Sequence, residues 1–323
     1  MTAVPTFTAH DLTPATSPTL YFIGVTTGSS SIQKVFPAWA EELDLDGAVL
    51  KGIDLPLHAP REDYRRVVQF IAGDPLSLGA LVTTHKLDLF AACEDLFDEI
   101  DPFARLMGET SCISKRGDAL ICHAKDPISS GHALDAFLPA GFWEQAPADA
   151  LCMGAGGSTI AISWYLSQRA SGADRPRRII VTNRSPQRLA HIREIHAQLD
   201  TDTAFEYVLT PDAADNDRVL ASLAPGSVVV NATGLGKDAP GSPLTDEAVF
   251  PEGATAWDLN YRGDLVFLDQ ARQQERTRSV RVEDGWIYFV HGWTQVIAEV
   301  FDVAIPTSGP VFDRLSDIAR STR

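Results

Sequence analysis

Residues 149–170 read DALCMGAGGSTIAISWYLSQRA. A short apolar run, Ala150 to Met153, passes straight into Gly154-Ala155-Gly156-Gly157, and a mostly apolar stretch of helical length follows. Strand, glycine loop and helix in that order make a phosphate cradle. Glycines let the backbone turn tightly and approach a pyrophosphate, and the helix N-terminus offers free N–H groups and the positive end of its dipole. Thr159 stands where G-x-G-x-x-G has its third glycine, so the match is partial. On its own such a cluster is only a tight turn; the strand before it and the helix after it make it a dinucleotide-binding loop.

The alternation continues downstream. RRIIVTNRS (177–185) reads as a strand, PQRLAHIREIHAQL (186–199) as a helix, and FEYVLT, SVVVNAT, TAWDLNY and SVRVEDG as further short strands. Strands and helices alternating at this pace imply a parallel, doubly wound sheet of the Rossmann type. The strand ending in Thr182 is followed by Asn183-Arg184-Ser185, with Arg188 one turn on. An enzyme using NAD usually places an acid there for the ribose 2′-hydroxyl. A guanidinium suits a 2′-phosphate instead, because it is planar and gives paired hydrogen bonds, so these residues point to NADP. Asn231-Ala232-Thr233-Gly234-Leu235-Gly236 and Asp258-Leu259-Asn260-Tyr261 end later strands where a ligand crevice would lie, although both are also ordinary turn chemistry.

Upstream the chain alternates in the same way. TLYFIGV (19–25), GAVLKGIDLP (47–56) and LGALVTT (78–84) read as strands. KVFPAWAEELDL (34–45), with Pro37 placed in its first turn, REDYRRVVQFIAG (61–73) and LDLFAACEDLFDEI (87–100) read as helices. ETSCISKRGDALICHAKD (109–126) reads as a hairpin turning at Arg116-Gly117-Asp118. Residues 1–18 read as a loose leader, HALDAFLPAGFW (132–143) as a helix linking two domains, and WIYFVHGWTQVIAEVFDV (286–303) as the last helix, packing back on the first domain. The expected organisation is a substrate-binding α/β domain, 1–131 plus 286–323, and a dinucleotide-binding domain, 132–285.

Composition narrows the function. At 323 residues, about two domains fit. Hydrophobic residues at 45% and charged residues at 22% exclude wholesale disorder. A formal charge of -16 repels phosphate backbones, which argues against a nucleic-acid partner. No apolar run reaches the roughly 20 residues of a membrane span, and the N-terminus lacks a basic segment followed by an apolar core. Cys93, Cys112, Cys122 and Cys152 show no metal-ligand spacing and read as reduced, buried thiols of a cytoplasmic protein.

The motifs together resemble the shikimate/quinate dehydrogenase family, over roughly residues 20 to 301 and in the family's order. The chain is similar to it at GAGG (154–157), NRS (183–185), NATGLG (231–236), DLNY (258–261), Lys86 of THK and Asp126 of HAKD. The resemblance implies an N-terminal α/β substrate domain, a Rossmann NADP domain and a C-terminal helix returning to the first. It implies a cytoplasmic enzyme of aromatic amino acid biosynthesis, monomeric or homodimeric, with no metal. Lys86 and Asp126 would be the catalytic pair, facing one another across an interdomain cleft. The cofactor contacts would be Gly154, Ala155, Gly156, Gly157, Asn183, Arg184, Ser185, Arg188, Asn231, Ala232 and Thr233.

The substrate side departs from the family. Its SxSP motif is Gly28-Ser29-Ser30-Ser31-Ile32 here, best matched by Ser29 and Ser31, with a one-residue shift open. Its VNT stretch has become Thr110-Ser111-Cys112, and its NTDG has become Ala124-Lys125-Asp126-Pro127. Its late Gln falls on Gly292 or, one helical turn on, Gln295. Ser111, Lys125, Tyr261 and Gln295 complete the expected substrate contacts. If Lys125 points inward it favours an anionic substituent; if strand alternation turns it outward it is a solvated charge. The reading is an NADP-dependent dehydrogenase of the shikimate dehydrogenase type, acting on shikimate or a related cyclic hydroxy acid or polyol, for which shikimate itself is a poor substrate. Two rivals remain: a non-catalytic dinucleotide-binding paralogue, which would need neither Lys86 nor Asp126, and an NAD enzyme sharing only the Rossmann half.

Overall fold

In the computed structural model, residues 4–45, 47–145, 147–168, 174–237 and 239–322 are described. The chain divides into two compact units, Met1–Lys125 with Val290–Arg323, and Asp126–Phe289. The divisions fall at 125/126 and 289/290, beside the expected 131/132 and 285/286.

The first unit runs β1 (Thr19–Gly24), α1 (Ile32–Glu42), β2 (Val49–Asp54), α2 (Arg61–Gly73), β3 (Ser77–Val82), α3 (Lys86–Cys93), β4 (Glu99–Ile100), α4 (Pro102–Met107), β5 (Cys112–Arg116) and β6 (Ala119–His123). Its sheet has the order β2-β1-β3-β5-β6-β4. β1 pairs in parallel with β2 and β3, whereas β5 runs antiparallel to β3 and β6. The hairpin turns at Gly117, as its sequence predicts. Tyr64, Val67, Val68 and Ile71 of α2 are all buried, so the helical spacing read from REDYRRVVQFIAG is the face packed on the sheet.

The second unit runs α5 (Asp126–Phe137), α6 (Phe142–Gln145), β7 (Ala150–Met153), α7 (Gly157–Ser167), β8 (Arg178–Asn183), α8 (Pro186–His196), β9 (Ala204–Leu209), α9 (Ala213–Leu220), β10 (Val228–Asn231), β11 (Thr255–Asp258), α10 (Val266–Arg272), α11 (Glu275–Arg278) and β12 (Arg281–Glu283). Its strands are all parallel in the order β12-β11-β10-β7-β8-β9. That is the doubly wound Rossmann arrangement, with its switch point between β7 and β10. β7 and β10 are fully buried apolar runs, as a sheet covered on both faces requires. α12 (Trp286–Phe301) starts in this unit and continues into the first, which ends with α13 (Pro310–Thr322).

Several sequence expectations are corrected. Residues 4–18 are not loose: Phe7 pairs in parallel with Ile53 on the edge strand β2, donating its N–H to Gly52 O at 2.9 Å and accepting that of Asp54 at 2.7 Å. Met1–Ala3 of the expected leader and Arg169–Ala170 of the expected helix lie outside the described residues. α1 begins at Ile32, so Pro37 is its sixth residue rather than part of its first turn. A mid-helix proline costs about 3 kcal/mol, which burial of Ile32, Val35, Phe36 and Trp39, at about 1.5–3 kcal/mol each, outweighs. The helix expected over 87–100 stops at Cys93, because Glu99 and Ile100 are drawn into pairing with β6. The linking helix spans 126–137, not 132–143, and is tied to α7 by Tyr165 Oη donating to Asp135 Oδ2 at 2.6 Å. α12 is not the last helix, since α13 follows and buries Phe312, Leu315 and Ala319.

Candidate functional site

The glycine loop joins β7 to α7. Gly154 has φ +104°, and a Cβ there would lie 2.6 Å from Ala232 O, so both backbone shape and space require glycine. A Cβ on Gly156 would meet nothing within 4 Å, so the loop faces open space on the side where α7 begins. Thr159 is buried and donates its hydroxyl to Gly154 O at 2.8 Å, which ties the helix to the loop and accounts for the departure from G-x-G-x-x-G.

At the end of β8, two of the motif's side chains shape the turn. Asn183 Oδ1 accepts the Ser185 N–H at 2.8 Å, and Ser185 Oγ caps α8 by accepting the Arg188 N–H at 3.3 Å. Arg184 and Arg188 are exposed, and their guanidinium groups make no ion pair or hydrogen bond among the described residues. Both line a cleft of about 430 Å³ that also takes in the glycine loop, Ala232 and Thr233. Thr210, Asp212, Asn216, Ser242 and Pro243 complete its far wall and were not foreseen from sequence. They come from loops and a helix start with no periodic signature.

Gly157 and Asn231 do not line the cleft. Asn231 is buried and structural: its Oδ1 accepts the N–H and hydroxyl of Thr233 at 3.1 and 2.7 Å, and its amide donates to Asp258 Oδ2 at 3.1 Å. Asp258 is fully buried and also accepts the Asn260 N–H at 2.8 Å. Burial pushes its carboxyl up to about 6 despite those hydrogen bonds, with Asp284 adding to the rise. NATGLG and DLNY thus interlock through side chains and hold Thr233 at the cleft.

Asp126 opens α5 and is buried; one carboxylate oxygen accepts from Tyr288 Oη at 3.3 Å. Tyr261 packs against Phe289 and Trp286, with centroids 4.6 and 5.5 Å away.

In the first unit, Lys86 is the first residue of α3, and the residue before it is clamped. His85 is buried, with Nε2 3.1 Å from Leu55 O and Nδ1 3.1 Å from Tyr64 Oη. The carbonyl must accept, so Nε2 carries the proton and Nδ1 accepts from Tyr64. Burial lowers the His85 pKa, which keeps that neutral form. The Lys86 backbone is pinned too, its N–H on Thr83 O and its carbonyl on the Thr110 N–H, both at 3.1 Å.

Ser29 lies in a single 3₁₀ turn and Ser31 at the start of α1. Asp54 holds this loop: Oδ1 accepts the N–H and hydroxyl of Thr27 at 2.7 and 2.5 Å, while Oδ2 accepts the Thr6 hydroxyl at 2.9 Å. Ser111 Oγ accepts the backbone N–H of Lys125 at 2.7 Å. The Lys125 ammonium is not the solvated charge of the outward alternative: it is 14% exposed and paired with Glu299 Oε2 at 2.6 Å. Glu299 also pairs with Arg116 at 3.0 Å, and burial, which would raise its pKa, is overcome by these cations and His123, leaving it lowered. Gln295 is half-buried on α12.

Glycine loop, paired arginines and a second α/β unit carrying a lysine at a helix start define a two-unit dinucleotide-binding protein. No protein-family profile matches the chain. It is 30% identical over 224 residues to shikimate dehydrogenase (NADP(+)) of Methanothrix thermoacetophila, covering 69% of this chain and 73% of the relative. It is 29% identical over 179 residues to the enzyme of that name from Lactococcus lactis subsp. cremoris, where the match covers 55% of this chain and only 59% of the relative. The structure of shikimate dehydrogenase from Thermus thermophilus in complex with NADP(H) and shikimate superposes with a TM-score of 0.68 at 20% identity, covering 94% of this chain and 99% of that one. The chain belongs to the shikimate dehydrogenase family.

Proposed function

We propose that the chain is an NADP-dependent dehydrogenase that interconverts a ring hydroxyl and ketone of a cyclic hydroxy acid or polyol. The observation that carries this reading is the pair of guanidinium groups, Arg184 and Arg188, lining the same cleft as the glycine loop. The residues present fit the cofactor: Gly156 leaves open space beside the α7 N-terminus for a pyrophosphate, and the arginines match a 2′-phosphate. When bound, the nicotinamide supplies or accepts the hydride. In the reducing direction the substrate carbonyl carbon gains that hydride and its oxygen gains a proton from Lys86; in the oxidising direction Lys86 removes the proton. Asp126 is the carboxylate partner of Lys86, orienting its ammonium. His85, locked by Tyr64 and Leu55, sets where the Lys86 stem starts.

The substrate differs from shikimate. Ala124 offers no hydrogen bond, Ser111 is engaged with the Lys125 N–H, and Glu299 neutralises Lys125. A pocket that pairs ring hydroxyls discriminates strongly when such partners are lost. The test is steady-state reduction of NADP+ over shikimate, quinate and carboxylated or phosphorylated cyclitols, and oxidation of NADPH over the corresponding keto forms, with NAD+ and NADH in parallel. Turnover with the NADP couple on a member of the panel other than shikimate and its keto form, exceeding that on shikimate, is expected. Rapid shikimate turnover overturns the substrate reading, and no turnover with any of them favours the non-catalytic alternative.

A further inference from the structure

Tyr288 sits where three elements of the second unit converge. Its ring stands edge-on to Trp257 of β11, centroids 5.9 Å apart at 83°, and Trp257 is fully buried against Phe137 at the end of α5, 5.3 Å away at 61°. Held in this way, its hydroxyl reaches Asp126 Oδ2 at 3.3 Å and Ser158 Oγ at 3.4 Å. Asp126 is the first residue of α5, and Ser158 lies in the first turn of α7.

We propose that Tyr288 is a positioning residue for Asp126, fixing the plane of its carboxylate and linking it to the helix that begins at the glycine loop. The inference rests on reading Asp126 as the partner of Lys86. The tyrosine has one proton for two acceptors. The carboxylate is the stronger, because a hydrogen bond to a charged acceptor is roughly twice as strong as a neutral one. Ser158 then donates to the tyrosine oxygen, and the three groups form a chain running from Ser158 through Tyr288 to Asp126. A carboxylate held at one oxygen by a rigid aromatic presents the other in a fixed direction. Such preorganisation costs nothing at the moment of reaction. The linkage also places the start of α7, where a cofactor pyrophosphate would lie, two hydrogen bonds from the carboxylate.

The test combines Tyr288→Phe, which keeps the ring packing, with Ser158→Ala and Asp126→Asn. Far-UV circular dichroism and thermal melting establish that each folds. The direct readout is the antisymmetric carboxylate stretch of Asp126, isolated by infrared difference against Asp126→Asn in aspartate-labelled, cofactor-free protein. It shifts in Tyr288→Phe and shifts less in Ser158→Ala. In turnover, Tyr288→Phe lowers kcat about 5–20-fold, while substrate KM and the NADP dissociation constant, measured by fluorescence titration, stay within about twofold. An unmoved carboxylate band overturns the proposal. So does an unchanged kcat in Tyr288→Phe when Asp126→Asn has lost most of its activity. Full activity in Asp126→Asn overturns the reading of the pair instead, whatever the infrared band does.

Discussion

The end of β8 and the end of α12 treat their charges in opposite ways. At β8, Arg184 and Arg188 stand exposed without partners among the described residues, while neighbouring Asn183 and Ser185 spend their polar atoms on the turn. Around α12 the cations are already answered: Glu299 takes both Lys125 and Arg116, and His123 is 2.8 Å from the Ser114 hydroxyl. A charge kept open implies a ligand that brings the opposite charge. A charge closed by the protein's own carboxylate shapes a wall and attracts nothing. The cofactor side is therefore set to receive an anion, and the lysine beside Asp126 is not.

The largest expected effect tests whether chemistry and cofactor holding are separable. Lys86→Met should lower kcat by about 10²–10⁴-fold, since that is the usual share of a placed acid–base group. NADP affinity, read by fluorescence titration, should hold, because the cofactor cleft belongs to the other unit. Equal loss of both would break the comparison.

A second prediction concerns stability. His196 lies between Ser163 Oγ at 2.7 Å and Tyr207 Oη at 2.8 Å, and burial takes its pKa down to about 4. A histidine depressed in the folded state contributes stability that is complete above the unfolded pKa of about 6.5 and is lost as pH falls toward 4. The loss over that window is of order 3 kcal/mol. His85, also lowered, adds in the same direction. Urea midpoints between pH 7.5 and 5 should fall steeply, and His196→Gln should flatten the slope.

Opening the β8 side further, Arg184→Ala should weaken NADP about 10–100-fold and NAD by much less. Isothermal titration with both cofactors checks it, and an equal loss would show that the guanidinium does not read the 2′-phosphate. The smallest effect comes from converting the closed side into an open one. Glu299→Gln should cost about 1–2 kcal/mol in urea unfolding, because Lys125 and Arg116 lose their shared carboxylate while largely shielded from water. The same variant should gain affinity for anionic cyclitols; no gain would mean that Lys125 stays turned away even when unpaired.

The Rossmann half was legible because each buried strand ends in a turn residue with a distinct job: Gly154, Asn183, Asn231 and Asp258 all stand where their strands stop. Arg184 was legible by residue type alone. Lys125 was not, because its partner lies 174 residues away on α12 and nothing local announces the pair. Tyr288 was hidden for the same reason, being 162 residues from Asp126. Pro37 misled by propensity, which the buried side chains of α1 override. Glu99 and Ile100 misled by period, because a two-residue strand is too short to show one. The far wall of the cleft is built by Thr210, Asp212 and Ser242, whose sequence neighbourhood reads only as loop.

Phe7 on the rim of β2 has a consequence for how copies of this chain behave in a crowded solution. A sheet border with a row of unanswered amides and carbonyls is a template on which another chain can crystallise its own backbone. By spending its own N–H and C=O on Gly52 and Asp54, Phe7 denies part of that template to strangers. The segment emerges before the strand it must cover, so during synthesis the stretch around Ile53 stays open from the completion of β2 until Phe7 folds back onto it. A chain shortened past Phe7 would carry that stickiness permanently, and its colloidal behaviour would suffer before its chemistry did.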